Sequence, residues 1–250
     1  MNFRLLTYNI WKGGAGRVDE LAAAIGACHP DVALLQEATR PEIVSALAER
    51  TGMTVSRSFA RQSLAYLSRG PVEHDQWHRP RFSRHAFIEV VPATVPVRIF
   101  GVHLSAVHAA WTERRRVLEL RSLLRTIAAH QHGFHLLAGD FNTLAPGAVL
   151  ELNRLPPRLR PFVWLSGGRI KWRTIQTVID AGYCDAFRIL HPDDPGMTMP
   201  AWDPHVRLDY VFVPRVFAKR LAKCEVMREP NERVRAASDH CPLVAELSIE

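Results

Sequence analysis

Short apolar runs and apolar positions at helical spacing alternate along the chain, and their order predicts a mixed α/β protein. Residues 3–10 (Phe-Arg-Leu-Leu-Thr-Tyr-Asn-Ile) are β-prone and stop before Gly13-Gly14, so a strand and a turn are expected. From Val18 to Cys28 the positions Leu21, Ala24, Ile25 and Cys28 recur at helical spacing, and His29-Pro30 ends that helix. Asp31 to Gln36 contains Val-Ala-Leu-Leu, a continuous apolar run suited to a strand buried on both faces. A second helix starts at Pro41, whose fixed φ suits a first helical turn, and ends near Gly52. The middle is strand-rich, with strands expected at 54–59, 63–68, 85–91 and 97–103 and turns at Gly70-Pro71 and Pro92. Residues 111–130 give the longest helical pattern, placing Trp111, Leu118, Leu120, Leu123, Leu124 and Ile127 among charged positions. Phe134-His-Leu-Leu-Ala is another apolar strand, and it runs into Gly139-Asp140-Phe141-Asn142. After a Pro-rich stretch a helix is expected at 171–182, then strands at 207–213, 218–227 and 243–248.

Strands outnumber helices and several are hairpin-like neighbours. That favours two packed sheets flanked by helices over a purely parallel sheet. No linker, repeat or low-complexity tract divides the chain, so residues 1–250 are expected to form one domain.

Composition narrows the class. With 47% hydrophobic and 23% charged residues over 250 positions, the chain can bury a core and lies far from the signature of disorder. The net charge of +7 favours polyanionic partners through long-range attraction and says nothing about fold. The N-terminus shows no signal-peptide pattern, and no window approaches ~18 consecutive apolar residues, so no membrane span is expected. Cys28, Cys184, Cys224 and Cys241 are scattered, which suits reduced thiols rather than a disulfide framework or a zinc site. A cytoplasmic monomer is the expectation.

Five blocks place carboxylate, carboxamide or imidazole beside an apolar strand. They are Tyr8-Asn9-Ile10, Leu35-Gln36-Glu37, Val102-His103-Leu104, Gly139-Asp140-Phe141-Asn142, and the C-terminal pair Arg207-Leu208-Asp209-Tyr210 with Ser238-Asp239-His240. Singly, each has an ordinary explanation: Asp140 and Asn142 could make turn hydrogen bonds, and most of 12 histidines must be core or surface groups. Together, oxygen ligands without clustered Cys suit a hard divalent cation such as Mg²⁺ or Mn²⁺. Phosphate-ester cleavage needs an activated water and positive charge on the non-bridging oxygens, which metal and imidazole supply. Ser238-Asp239-His240 is not a serine-hydrolase triad, because no Gly-x-Ser-x-Gly elbow exists and triad members converge from separate segments. Gly13-Gly14-Ala15-Gly16 lacks the Lys-Ser/Thr of a phosphate loop.

The order and wording of these blocks resemble the endonuclease/exonuclease/phosphatase superfamily, which includes DNase I-like nucleases, exonuclease III-like repair enzymes, sphingomyelinases and inositol-polyphosphate 5-phosphatases. The resemblance runs from Leu5 to Leu247, and Gly-Asp-Phe-Asn-Thr (139–143) and Ser-Asp-His-Cys-Pro (238–242) are its most specific pieces. It implies a four-layer αββα sandwich, with two mixed β-sheets face to face between helical layers and the site at one end. It also implies roles. Glu37 resembles the principal metal ligand, with Asn9 and Asp239 beside it. Asp140 resembles the residue that orients or deprotonates the attacking water, and Asn142 one that holds phosphate or that water. His240 resembles the site histidine, paired with Asp209. His103 matches the second histidine of DNase I-like and sphingomyelinase-like members, for which Glu89 on the preceding strand is a candidate carboxylate partner.

Two features bear on substrate. After Asn9 this chain has Ile10-Trp11-Lys12 where many exonuclease III-like members have Val, an acidic or amide residue, and Gly; Lys12 is a candidate phosphate contact. The segment from Leu152 to Ile179 has no acidic residue and interleaves arginine, lysine and aromatic side chains. Arg160, Trp164, Arg169, Lys171 and Trp172 are its candidate contacts to a nucleic-acid backbone and its bases. Arg114-Arg115-Arg116 is read as a solvated face of the long helix. The leading expectation is a Mg²⁺- or Mn²⁺-dependent nuclease acting on DNA or RNA. A phosphodiesterase or phosphatase for a lipid headgroup or small phosphate ester is the alternative, and a binding module that has lost catalysis is a third.

Overall fold

The computed structural model describes residues 2–249 apart from 81–82, 84, 107–109, 131, 149–150, 152, 155–156, 158–159, 166–171 and 229–235. Twelve strands, β1 (Asn2–Asn9), β2 (Val32–Gln36), β3 (Val55–Arg57), β4 (Leu64–Ser68), β5 (Val72–His78), β6 (Phe87–Pro92), β7 (Arg98–His103), β8 (His135–Asp140), β9 (Tyr183–Asp185), β10 (Asp209–Pro214), β11 (Leu221–Val226) and β12 (Leu243–Ser248), form two six-stranded sheets among the described residues. The first runs β11-β12-β1-β2-β4-β3 and the second β5-β6-β7-β8-β10-β9. Each is mixed: β1–β2 and β7–β8 pair parallel, and the remaining neighbours pair antiparallel.

Alternation along the strands sorts the side chains into layers. Phe3, Leu5, Val32, Leu34, Leu64 and Tyr66 of the first sheet meet Ile88, Val90, Ile99, Leu136, Ala138, Val211 and Val213 of the second in one buried core. The opposite face of the first sheet (Leu6, Tyr8, Ala33, Leu35, Ala65, Leu67) is covered by helices α1 (Val18–Cys28) and α2 (Pro41–Thr51). The outer face of the second (Phe100, Val102, Leu137, Tyr210, Phe212) packs Leu120 and Leu123 of α3 (Ala110–Thr126) and Ile175 and Val178 of α5 (Arg173–Asp180). The four-layer αββα sandwich is therefore the observed architecture. Both N-terminal helices end where the sequence indicates. His29 and Gly52 adopt the left-handed conformation that caps a helix, and Pro41 opens α2.

Five local features depart from the expected pattern. Residues 72–78 form a strand, although Glu-His-Asp-Gln-Trp-His lacks apolar alternation, because β5 is an edge strand with one partner and a largely solvated surface. The Pro-rich stretch contains a short helix, α4 (Arg160–Leu165), and α6 (Ala186–Leu190) follows β9 directly with Asp185 capping its first turn. Residues 215–220 are a 3₁₀ turn, so the strand expected from 218 starts at Leu221. The arginine run is split, since Arg116 is 1% exposed while Arg114 and Arg115 face solvent.

Candidate active site

The inward-facing register that fills the core with Leu, Val and Ile turns polar at one end of the sandwich. Counting along the inner positions of each strand, Ile99 leads to His103, Ala138 to Asp140 and Val211 to Asp209. The register sets these three side by side: His103 pairs with Asp140 across β7–β8, and Asp140 with Asp209 across β8–β10. On the facing sheet, Asn9 and Gln36 occupy the same inner row of β1 and β2. A polar floor at the mouth of the core thus follows from strand parity alone.

The second-sheet half is buried and closely bonded. His240, from the loop before β12, places Nδ1 2.8 Å from Asp209 Oδ2. Burial works against a charged imidazole here. The charge and hydrogen bond of Asp209, with the charges of Asp140 and Asp239, outweigh it and raise His240 to about 10, so the ring is an imidazolium at neutral pH. Burial raises the Asp140 carboxyl, with His240 opposing and Asp209 adding to the shift. Asp140 Oδ2 accepts from Asn9 Nδ2 and Asn142 Nδ2, both at 3.1 Å, and Oδ1 accepts from the Asn142 amide at 2.8 Å. His103 lies with Nε2 3.8 Å from Asp140 Oδ2, its Nδ1 on Ser63 Oγ and its ring stacked on His85 at 5.0 Å. Glu89 is not its partner. Ile88 and Val90 point into the inter-sheet core, so Glu89 faces the other side of β6, where it binds His78 and Arg98.

The first-sheet half is more open. Glu37 follows β2 in a left-handed turn (φ 56°), with Oε2 accepting from the Lys12 amide at 2.6 Å and Oε1 3.5 Å from Asn9 Nδ2. The Trp11 amide donates to Asn9 Oδ1 at 3.0 Å, so consecutive backbone N–H groups hold both side chains. Ser238 Oγ donates to the Asn9 carbonyl at 2.6 Å and accepts from the His240 amide at 3.2 Å, which docks the Ser-Asp-His segment against β1. Asp239 is raised by burial, eased by His240 and raised further by the charge of Glu37. Two carboxylates pressing on one another beside a carboxamide oxygen are a hard-donor set whose repulsion a divalent cation would relieve. Asn9, Glu37 and Asp239 could therefore hold a hard divalent cation. Asp140, Asp209 and His240 form a second group whose ligand atoms lie within 4.8 Å of one another, with His240 Nδ1 already engaged by Asp209.

These groups open into a cleft of about 460 Å³, lined by Asn9, Glu37, His103, Asp140, Asn142, Asp239 and His240 together with Met199, Pro200, Trp202, Val206 and Leu208. Among the described residues Arg154 also lines it, and Trp202 is 57% exposed. The substrate-contact candidates Lys12, Arg160, Trp164 and Trp172 are not among the described residues lining the cleft, although the Lys12 amide bonds Glu37. Lys12 holds its Nζ over the Trp11 ring, Arg160 bonds the Asn153 carbonyl, and Trp164 and Trp172 are exposed without lining the cleft; Arg169 and Lys171 fall outside the described residues. Trp202 was missed because its signal, a tryptophan on a Pro-flanked turn just before Arg207-Leu208-Asp209, is ordinary in isolation. The turn is latched to the site: the Ala201 amide donates to the Asp239 carbonyl at 2.8 Å.

A buried network on α3 supports the cleft loops from below. Glu113 accepts from Thr143 Oγ1 at 3.2 Å, from the Thr174 amide at 2.8 Å and from Arg116 at 2.9 Å. Arg116 Nη1 donates to the Ser105 carbonyl at 2.7 Å, and Glu119 accepts from Ser105 Oγ at 3.0 Å. One helix face thereby fixes the residues just beyond His103 and Asn142.

Residues 6–240 match the Endonuclease/Exonuclease/phosphatase family over this set of blocks. The chain belongs to that family. Its members hydrolyse phosphate esters, so the chain is a phosphoester hydrolase. No curated protein sequence matches the chain. Among solved structures, the chain is similar to an AP endonuclease from Archaeoglobus fulgidus, at 18% identity and TM-score 0.73, covering 99% of this chain and 100% of that one. It is equally similar to the 3'-5' exonuclease NExo of Neisseria meningitidis, at 18% identity and TM-score 0.73, with 98% and 100% covered. A variant of the Neisseria 3' phosphatase NExo bound to a product DNA hairpin gives 18% identity, TM-score 0.73 and coverage of 98% and 99%. These likenesses establish the family's fold for the chain.

Proposed function

We propose that this chain is a Mg²⁺- or Mn²⁺-dependent phosphodiesterase that cleaves nucleic acid by in-line attack of water. The observation that carries the reading is that His103, Asp140 and Asp209 stand side by side on the second sheet, with His240 on Asp209, and meet Asn9, Glu37 and Asp239 at one cleft. Asp140 is held by Asn9 and Asn142 with its carboxylate turned to the cleft, where it orients a water and accepts its proton. As the water oxygen bonds to phosphorus, the bond from phosphorus to the leaving oxygen breaks. His240, kept charged by Asp209, stands against the negative charge that develops on the non-bridging oxygens, and His103 supports it from the neighbouring strand. Asn9, Glu37 and Asp239 would hold the cation, which when bound adds positive charge to the phosphoryl and leaving oxygens.

Three observations favour nucleic acid: the +7 charge, the presence in the cleft lining of Trp202 and of Arg154, which is bonded to Asp203, and the DNA-handling names of the similar structures. The apolar wall of Met199, Pro200, Val206 and Leu208 favours a second reading, a small or lipid-headgroup phosphate ester with an apolar substituent. Metal-dependent hydrolysis of plasmid DNA, single-stranded DNA, RNA, an abasic-site duplex and bis-p-nitrophenyl phosphate separates them, with Asp140→Asn as control. Polymer cleavage lost in the control supports the nuclease. Turnover of the small ester alone moves the assignment to the second reading.

A further inference from the structure

The two helical layers expose very different surfaces. On α3, positions 111, 114, 115, 118, 121 and 125 share one outward stripe at the i, i+3, i+4, i+7 spacing of a helix face. They are Trp111, Arg114, Arg115, Leu118, Arg121 and Arg125. Both acidic residues of the helix, Glu113 and Glu119, are buried at 3% and 4% exposure, in the network beneath the cleft loops. The outward face therefore carries four arginines, no acid, and Trp111 and Leu118 at 55% and 62% exposure.

The helix that carries the stripe is tied to the active site through its buried face, where Arg116 holds the Ser105 carbonyl next to Ala106 of the cleft wall. Trp111 lies five positions beyond Ala106, a residue of the cleft wall, and Glu113 of the same helix turn bonds Thr143, the neighbour of Asn142. From there the 17-residue helix runs along the outside of the second sheet for about 25 Å.

We propose that this face of α3 is a secondary binding surface for the phosphate backbone of a nucleic-acid strand whose scissile bond lies in the cleft. It rests on the nucleic-acid reading above and extends it from a cleft-sized substrate to a polymer. A row of guanidinium groups without intervening carboxylates is complementary to a line of phosphates. An exposed ring at the N-terminal end of that row suits stacking on an unstacked base of the same strand. A lipid surface fits less well. A helix that binds a bilayer must turn its apolar face outward, whereas the apolar face of α3 (Leu120, Leu123, Ile127) is packed on the sheet.

The test compares wild type with an Arg114→Gln/Arg121→Gln/Arg125→Gln variant, which spares Arg115 because that side chain bonds Glu119. Binding and cleavage of fluorescent single strands of about 40 and about 4 nucleotides are followed as salt rises. Three phosphate contacts predict a fall of about tenfold or more in the long-to-short ratio of kcat/KM. They also predict a log Kd against log salt slope shallower by about 2 to 3 for the long strand. Equal ratios and slopes in the two proteins overturn the proposal while leaving the cleft chemistry intact. Tight, salt-sensitive binding of the long strand by wild type, lost in the variant and without cleavage of either strand, upholds the surface and refutes the nuclease reading. Sedimentation with vesicles of mixed neutral and anionic phospholipid, abolished in the variant while strand binding is absent in wild type, overturns the proposal in favour of a membrane partner.

Discussion

The two sheets contribute to the cleft in opposite styles. The second sheet delivers His103, Asp140 and Asp209 as strand residues, buried, in register and tied by hydrogen bonds to Asn142 and His240. The first delivers one strand residue, Asn9, and then relies on turns: Glu37 sits just past β2 on the Lys12 amide, and Asp239 sits in a loop latched to β1. The difference matches the chemistry proposed for each side. Proton transfer and charge stabilisation depend on fixed distances, which adjacent strands supply. A hard cation that keeps waters and takes substrate oxygens needs carboxylates near solvent, which turns supply.

If that division is right, the two sides fail differently when altered. Asp140→Asn on the strand side should lower kcat by about 10³-fold or more. Its Mg²⁺ concentration for half activity should stay within about twofold of wild type, and a large rise in metal requirement would merge the two sides into one. Arg116→Met should destabilise the protein by about 3–5 kcal/mol, read as a lower urea midpoint, because it strands Glu113 in the network beneath the same strand ends. A midpoint within error of wild type would show that the strand side does not depend on α3. On the turn side, Glu37→Gln should raise the Mg²⁺ needed for half activity about tenfold, with much of kcat recovered at saturation; a loss of kcat that metal does not restore contradicts the assignment.

The smallest effect lies at the far end of β8 from Asp140. His135 is buried between the Gly133 carbonyl and the Tyr183 hydroxyl, and burial lowers its pKa below 6.5, the reverse of His240. The unfolded chain therefore takes up a proton near 6.5 that the folded chain refuses. Stability from this group is full above that pH and declines as pH falls through it. His135→Asn should flatten the acid-side slope of stability by up to one proton, measured by urea unfolding between about pH 7 and 5. An unchanged slope would mean that the folded protein protonates this ring as readily as the unfolded chain does.

What the sequence could tell depended on how much of the signal was local. Strand-end blocks such as Gly139-Asp140-Phe141-Asn142 and Ser238-Asp239-His240 are contiguous, and an apolar run beside a polar residue is visible without knowing the neighbours. Layering was legible for the same reason, since alternation and helical spacing are periodic. Other features depend on partners far along the chain. Glu89 and His103 stand on adjacent strands, but the parity of β6 turns Glu89 to the outer face, a fact set by which side of Ile88 and Val90 is core. Arg116 in an arginine run looks solvated until Glu113, Thr143, Ser105 and Thr174 come together around it. Trp202 lines the cleft because its turn docks on Asp239, and among the described residues of the basic segment it is Arg154 that joins the lining, a placement set by contacts far along the chain.

Gly139 sets a limit on how this site can vary. Its φ of 144° and its contact with β7 leave no room for a side chain, since a Cβ there would lie 2.0 Å from the Val102 carbonyl oxygen. Val102 and Gly139 are register partners, and the next pair along is His103 with Asp140. The gap between the histidine and the carboxylate is thus gauged by the missing methyl group one step earlier. Any alanine at 139 would wedge the two strands apart at the point where they hand their side chains to the cleft. Selection acting on catalysis and selection acting on backbone fit converge on this one position. Random mutagenesis should therefore find it as intolerant as Asp140 itself, although no atom of it need touch substrate.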